Sequence, residues 1–263
     1  MIQATCIGQP LARFLQTPRA SRVVARFDST LQLESDDGQL WAITARNNAG
    51  AFRAQVSEIP RAEIGEEICL RYDSAARFDP RPARRFLTSN QKRNAARLIA
   101  REIHDLPDAL GAWEEIANVF VIARSAEGVT KQTPSHTGIA SLTSFARNDV
   151  IVHRLLGRGP GLTPTGDDFL QAWLVTLASG DEIDRRAFHS RARVIAPDLS
   201  RTTKMSAQFL REALNGWAFG ALKDLLDDLP RVNASRVKNL LNIGASSGTA
   251  YALGVLFGLS WKI

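Results

Sequence analysis

The sequence predicts an α+β protein: a small N-terminal β domain, a barrel or sandwich, over residues 1–73, a linker over 74–88, and a predominantly α-helical domain over 89–263. Three observations lead there. Short strand-like runs separated by turn residues fill the first seventy-odd positions. The stretch that follows is polar, carries Pro80 and Pro82, and has no period. From Ser89 onward the apolar residues recur at helical spacing with no strand-like interruption.

In chain order, the strand-like runs are 23–27, 30–34, 39–44, 51–56 and 66–72. Asp36-Asp37-Gly38 joins the second to the third as a hairpin, because Gly38 tolerates the positive φ of a tight turn. Ser89 caps the first long helix, on which Leu98, Ile99, Ile103 and Leu106 share a face and Arg93, Arg97 and Arg101 form a separate basic stripe. Further helices are expected at 109–123, 140–156, 167–179, 184–194, 202–214, 219–229, 235–241 and 248–259, with a polar loop over 125–139. On the last of them Ala250, Gly254 and Gly258 fall at i, i+4 and i+8, a groove into which another backbone can pack. At thirteen apolar residues, from Thr249 to Trp261, this helix is too short to span a bilayer and is expected to be a buried central helix.

Composition sets the remaining bounds. Apolar residues make up 44% and charged residues 23%, which suits a folded soluble chain and excludes disorder, and 18 Gly and 11 Pro without a period exclude collagen-like or low-complexity sequence. No membrane segment or signal peptide is expected, and two cysteines, Cys6 and Cys69, make neither a disulfide framework nor a four-thiolate zinc site. A cytoplasmic protein without structural metal is the expectation. The net charge of +6 is concentrated: Arg77 to Arg101 holds eight bases against Asp79, and the rest of the chain is near neutral. Such a patch favours anions or an acidic subunit. Only Phe78 and Phe86 interleave its bases and no nucleic-acid motif occurs, so nucleic acid is not expected as a partner.

One segment carries chemistry: Gly157-Arg158-Gly159-Pro160-Gly161-Leu162-Thr163-Pro164-Thr165-Gly166-Asp167-Asp168. A Gly-rich loop opening a helix is an anion site, because backbone amides and the helix dipole both point at it. It is not a P-loop, since Asp167-Asp168 stand where Lys and Ser/Thr would be, nor a dinucleotide fingerprint, since Leu162 occupies the third glycine position. Three accounts of the two aspartates stay open: satisfying the first-turn amides and dipole, holding a Mg²⁺ that bridges to a phosphate, or accepting from, or acting as base toward, an amide or amine on the substrate. Two more stretches join the candidate site. Asn242-Ile243-Gly244-Ala245-Ser246-Ser247-Gly248 is a second Gly/Ser loop opening a helix, and Ser200-Arg201-Thr202-Thr203-Lys204-Met205-Ser206 is rich in hydroxyls at another helix start; capping alone accounts for such residues too. The histidines, His104, His136, His153 and His189, show no metal-ligand spacing, and no nucleophile elbow occurs.

The twelve residues 159–170 resemble the GPGLTPSGDDFL signature of the AllH-like family, whose named member is a subunit associated with oxamate carbamoyltransferase in allantoin (purine) catabolism. Residues 243–248 resemble that family's later GHSSG-type loop, with Ala245 where the family usually has His and Thr249-Ala250 where it usually has Trp-Asp. The resemblance covers the helical half well and the β half loosely. It implies a carbamoyltransferase subunit that moves a carbamoyl group between oxalurate and phosphate, giving oxamate and carbamoyl phosphate. The catalytic candidates are Asp167 and Asp168; the ligand-binding candidates are Gly159, Gly161, Thr163, Thr165, Gly166, Thr202, Ser206, Gly244, Ser246, Ser247 and Gly248. No cofactor is required for such a transfer, with Mg²⁺ the one metal the carboxylates would admit. The expected partners are a small anion of the carbamoyl phosphate, oxamate or oxalurate class, and further enzyme subunits or copies of this chain. The alternative is a non-catalytic metabolite-binding or scaffolding subunit that works only with partner chains.

Overall fold

The computed structural model describes residues 2–16, 21–45, 48–104 and 148–260. The helix expected at 109–123, the loop at 125–139 and the start of the helix at 140–156 lie outside these residues. The chain divides into two compact units, Met1–Arg81 with Trp217–Lys223, and Pro82–Gly216 with Asp224–Ile263.

The first unit is built on strands β1 (Ile2–Gln3), β2 (Cys6–Gly8), β3 (Ser21–Phe27), β4 (Thr30–Ser35), β5 (Leu40–Thr44), β6 (Arg53–Gln55), β7 (Glu67–Ile68), β8 (Leu70–Arg71) and β9 (Ala76–Phe78), with helix α1 (Gln9–Phe14) after β2. Seven strands form one sheet in the order β7-β3-β4-β5-β6-β2-β9, and β1 pairs with β8 in a separate two-stranded sheet. The β3-β4-β5 meander follows from alternation: Val23, Leu31, Leu33, Trp41 and Ile43 are buried, and Trp41 Nε1 donates to Ser21 Oγ at 3.0 Å, satisfying the indole inside the core. Gly38 (φ 81°) turns the β4–β5 hairpin as expected.

The mixed α+β class therefore holds, but the barrel does not. The large sheet has open edges at β7 and β9, strands of two and three residues that do not pair with each other. Closure needs paired edges and a continuous stagger, and here β5 and β6, like β2 and β9, run parallel, so long connections break the simple up-and-down order. Strand β9 lies within the segment read as a linker, and residues 217–223, read as part of the helical half, pack into this unit: the amide of Ala218 donates to Pro80 O at 2.8 Å and that of Gly220 to Ala49 O at 2.6 Å.

The second unit contains helices α2 (Ser89–His104), α3 (Asn148–Leu155), α4 (Thr165–Ala178), α5 (Glu182–Ile195), α6 (Lys204–Leu214), the later part of α7 (Gly220–Asp228), α8 (Ala234–Leu241) and α9 (Ser247–Ser260). Its axis is the pair α4 and α9, each buried on all sides: α9 as expected of its apolar composition, α4 although it carries Asp167, Asp168, Gln171 and Thr176. The small-residue stripe on α9 makes their approach: a Cβ on Gly254 would lie 2.4 Å from the Phe169 carbonyl oxygen, and one on Gly258 would lie 2.7 Å from Thr176 Cγ2. Phe169, Trp173 and Phe257 fill the remainder, with ring centroids 5.0 Å apart for Trp173 and Phe257. The Arg191 guanidinium of α5 lies 4.5 Å from the Trp173 ring centre. No helix among the described residues is long and apolar enough to cross a membrane.

The two glycines predict different sensitivities. Gly254→Ala forces a methyl onto backbone and is expected to lower the free energy of unfolding by about 1–3 kcal/mol despite alanine's better helix propensity. Gly258→Ala meets only a side chain and is expected to lose less. Urea unfolding of the two variants checks the order.

Candidate functional site

The site is assembled around the first turn of α4. The preceding loop, residues 156–164, uses glycine where no other residue fits: Gly157, Gly159 and Gly161 have φ of 73°, 115° and 88°. Gly157 is also pressed against the segment before α6, where a Cβ would lie 2.4 Å from Arg201 O. Arg201 in turn anchors that segment, donating from Nη2 to His153 O at 2.8 Å and from Nη1 to Asp198 at 3.1 Å.

Asp167 ties these pieces together. Its Oδ1 accepts the Gly157 amide at 2.7 Å, and its Oδ2 accepts the hydroxyls of Ser206, at 2.7 Å, and Thr202. The carboxylate is buried, and both oxygens are engaged. Thr203 adds a second tie, capping α6 by accepting the Ser206 amide at 3.1 Å while its hydroxyl donates to Leu162 O. A helix cap thus doubles as a clasp on the Gly-rich loop.

Asp168 faces the other way, toward α9. Ser247 and Tyr251, one turn apart at the start of α9, donate hydroxyl hydrogen bonds to its carboxylate. Its Oδ2 is buried without a hydrogen-bond partner among the described residues, and the whole residue is 2% exposed. Burial pushes the Asp168 carboxyl up to about 7; the nearby Asp167 charge adds to this, and the Ser247 and Tyr251 hydrogen bonds oppose it. A carboxyl at that value exchanges a proton at neutral pH.

Neither aspartate caps its own helix. The first-turn amides of α4 are satisfied by backbone: Gly166 donates to Arg158 O at 2.9 Å, and Asp167 and Asp168 donate to Pro164 O at 2.9 and 3.1 Å. Gly166 is packed so closely that a Cβ would lie 2.1 Å from Leu155 O. Thr165 is buried beside it, Thr163 is half-buried, and Gly161 is exposed with open space around its Cα. In the second loop Gly244 (φ 59°) and Ser246 lie on an exposed turn, the Gly248 amide donates to Ile243 O at 2.8 Å, and only the Ser247 side chain reaches Asp168. Among the described residues no three His, Cys, Asp or Glu side chains gather in a way that could hold a metal.

The structure thus joins the loop before α4, Thr202 and Ser206, and the start of α9 into one site. Sequence reading missed Tyr251 and the Gly157 amide. Tyr251 left a signal, since it stands four residues after Ser247 and so on the same helical face.

No solved structure matches this chain. The family comparison is positive: residues 155–259 match the model of the family described as oxamate carbamoyltransferase subunit AllH. The match runs from the end of α3 to the end of α9, takes in both aspartates and the residues that hydrogen-bond them, and establishes the likeness first carried by the 159–170 signature.

Two stability predictions follow from the roles of the aspartates. Asp167→Ala strands the buried Ser206 hydroxyl and two half-buried donors, Gly157 and Thr202, and is expected to destabilise the chain by about 3–5 kcal/mol, with faster proteolysis of the 156–164 loop. Asp168 works in the opposite sense. Its pKa is higher folded than unfolded, so the folded chain holds the extra proton between pH 3.8 and about 7. That contribution is complete in acid and is lost as the pH rises through about 7, on the order of 4 kcal/mol at most. Asp168→Asn never ionises; thermal unfolding should show it gaining stability over the parent from pH 5 to pH 8, and a constant difference across that range would remove the effect.

Proposed function

We propose that this chain is a subunit of a carbamoyl-transferring enzyme of the oxamate carbamoyltransferase kind, and that it holds a small amide-bearing anion at the start of α4. The observation that carries the reading is the Asp168 carboxylate, which is buried, oriented by Ser247 and Tyr251, and left with one oxygen unpartnered among the described residues. An acceptor kept dry and free suits the N–H donors of a carbamoyl group. The family match over the same residues supports the choice of that group.

In this reading the aspartates divide the work. Asp167 is a positioning residue that holds the loop through Gly157, Thr202 and Ser206. Asp168 meets the substrate. In transfer from oxalurate to phosphate, the phosphate oxygen attacks the carbamoyl carbon, the bond to the oxamate nitrogen breaks, and that nitrogen takes up a proton. A carboxyl with a pKa of about 7 can accept a hydrogen bond from the carbamoyl NH₂ when ionised and supply that proton when neutral. Gly159, Gly161 and Thr163 are left to donate to the anionic oxygens, because Gly166, Thr202 and Ser206 already serve the loop. The reading needs no metal; Mg²⁺ would enter with the phosphate and not through Asp167, whose oxygens are both occupied.

A second reading, that the chain binds its ligand but turns it over only with partner subunits, is favoured by the near-complete burial of Asp168 in the single chain. Thermal unfolding with phosphate, carbamoyl phosphate, oxamate and oxalurate, each with and without Mg²⁺, is the test. A ligand at a hundred times its Kd adds about 2.7 kcal/mol. The expected result is a shift with an amide-bearing anion that Asp168→Asn removes, and turnover that requires Asp168; an equal shift in Asp168→Asn would overturn the assignment. Turnover by the chain alone excludes the second reading.

A further inference from the structure

The first unit contains a cavity of about 220 Å³ that the site above does not use. Its walls are aromatic on one side, Phe52 and Trp217 with ring centroids 6.2 Å apart, and carry two guanidinium groups, Arg13 of α1 and Arg81. Gln9, Pro10 and Pro80 complete the lining. The lining is fixed by the fold: the Leu11 amide donates to Ala51 O at 3.1 Å, beside Phe52, and the Ala218 amide donates to Pro80 O at 2.8 Å, beside Trp217.

Neither Arg13 nor Arg81 has a carboxylate within ion-pair distance among the described residues. The nearest acid in sequence, Asp79, turns its Oδ1 to the Arg81 amide at 3.0 Å. Two arginine forks at the mouth of a cavity match carboxylate oxygens, and a planar guanidinium also lies well against a flat conjugated group. Phe52 and Trp217 offer ring faces for such a group. The volume equals about seven waters of liquid, which admits one ring or a short conjugated chain and excludes a nucleotide.

We propose that this cavity binds a small, flat carboxylic acid, with its carboxylate on Arg13 and Arg81 and its planar body against Phe52 and Trp217. All these residues but Trp217 lie outside the stretch that matches the AllH family, so the site does not depend on the reading of Asp168.

Tryptophan fluorescence of the full chain tests it, with benzoate and phthalate as probes, benzamide as the uncharged control and inorganic phosphate as the anion without a flat body. The expected result is a saturable change with the two acids at a Kd below about 1 mM. Arg13→Met and Arg81→Met, at exposed positions that carry no core contact, should each weaken binding about tenfold. Trp217→Phe should remove most of the optical signal while calorimetry still detects binding. Asp168→Asn should bind the acids as the parent does. The proposal fails if neither acid saturates by about 10 mM. It also fails if benzamide or inorganic phosphate binds as tightly as benzoate, or if the double arginine variant is unaffected.

Discussion

The close approach of α4 and α9 is the constraint on which the helical unit rests. Two helices can come within reach of each other's backbone only where one lacks side chains, and Gly254 and Gly258 supply that gap against Phe169 and Thr176. The same contact brings the first turns of both helices together, which is why Ser247 and Tyr251 can reach Asp168. Gly248 extends the arrangement to the end of α8, since a Cβ there would meet Leu241 O at 2.3 Å. Packing and chemistry are therefore one problem here: a wider helix pair would separate the carboxylate from the hydroxyls that orient it.

Two adjacent aspartates end up in unlike surroundings because neighbours on an α-helix point about 100° apart. Asp167 turns toward α6 and finds an amide and two hydroxyls, which engage both oxygens of its buried carboxyl group. Asp168 turns toward α9 and finds two hydroxyls on a largely apolar helix, which leaves desolvation dominant.

How much of this was legible in the sequence depends on the range of the interaction concerned. Local rules found the β4–β5 hairpin from Gly38, the Gly-rich loop before α4, and the buried helix from the spacing of Ala250, Gly254 and Gly258. Pairings between distant segments were not legible. Strand β2 is three residues long and gains its place from β6 and β9, fifty and seventy residues away, so nothing in its own composition announces it. Barrel closure failed for the same reason, because strand count and spacing do not say which edges meet. Residues 217–223 have helical periodicity, yet periodicity names a face and not the core it joins, and the fold gives them to the β unit. In the site, the Asp167-Asp168 pair was plain from the motif, while the difference in their surroundings required knowing which helix stood on each side.

The unpartnered Asp168 oxygen remains the feature that stability alone does not explain. A buried acceptor without a donor costs about 1–3 kcal/mol, and a carboxylate held dry against its charge costs more. An asparagine would fill the same space, keep an acceptor for Ser247 and Tyr251, and avoid the ionisation. A sequence under no demand but folding would gain by that exchange. Asp167 faces no such conflict, since every lone pair direction it uses is matched by a donor from this chain. The contrast sets the two apart: one carboxylate is complete as it stands, and the other keeps an oxygen that no donor among the described residues meets.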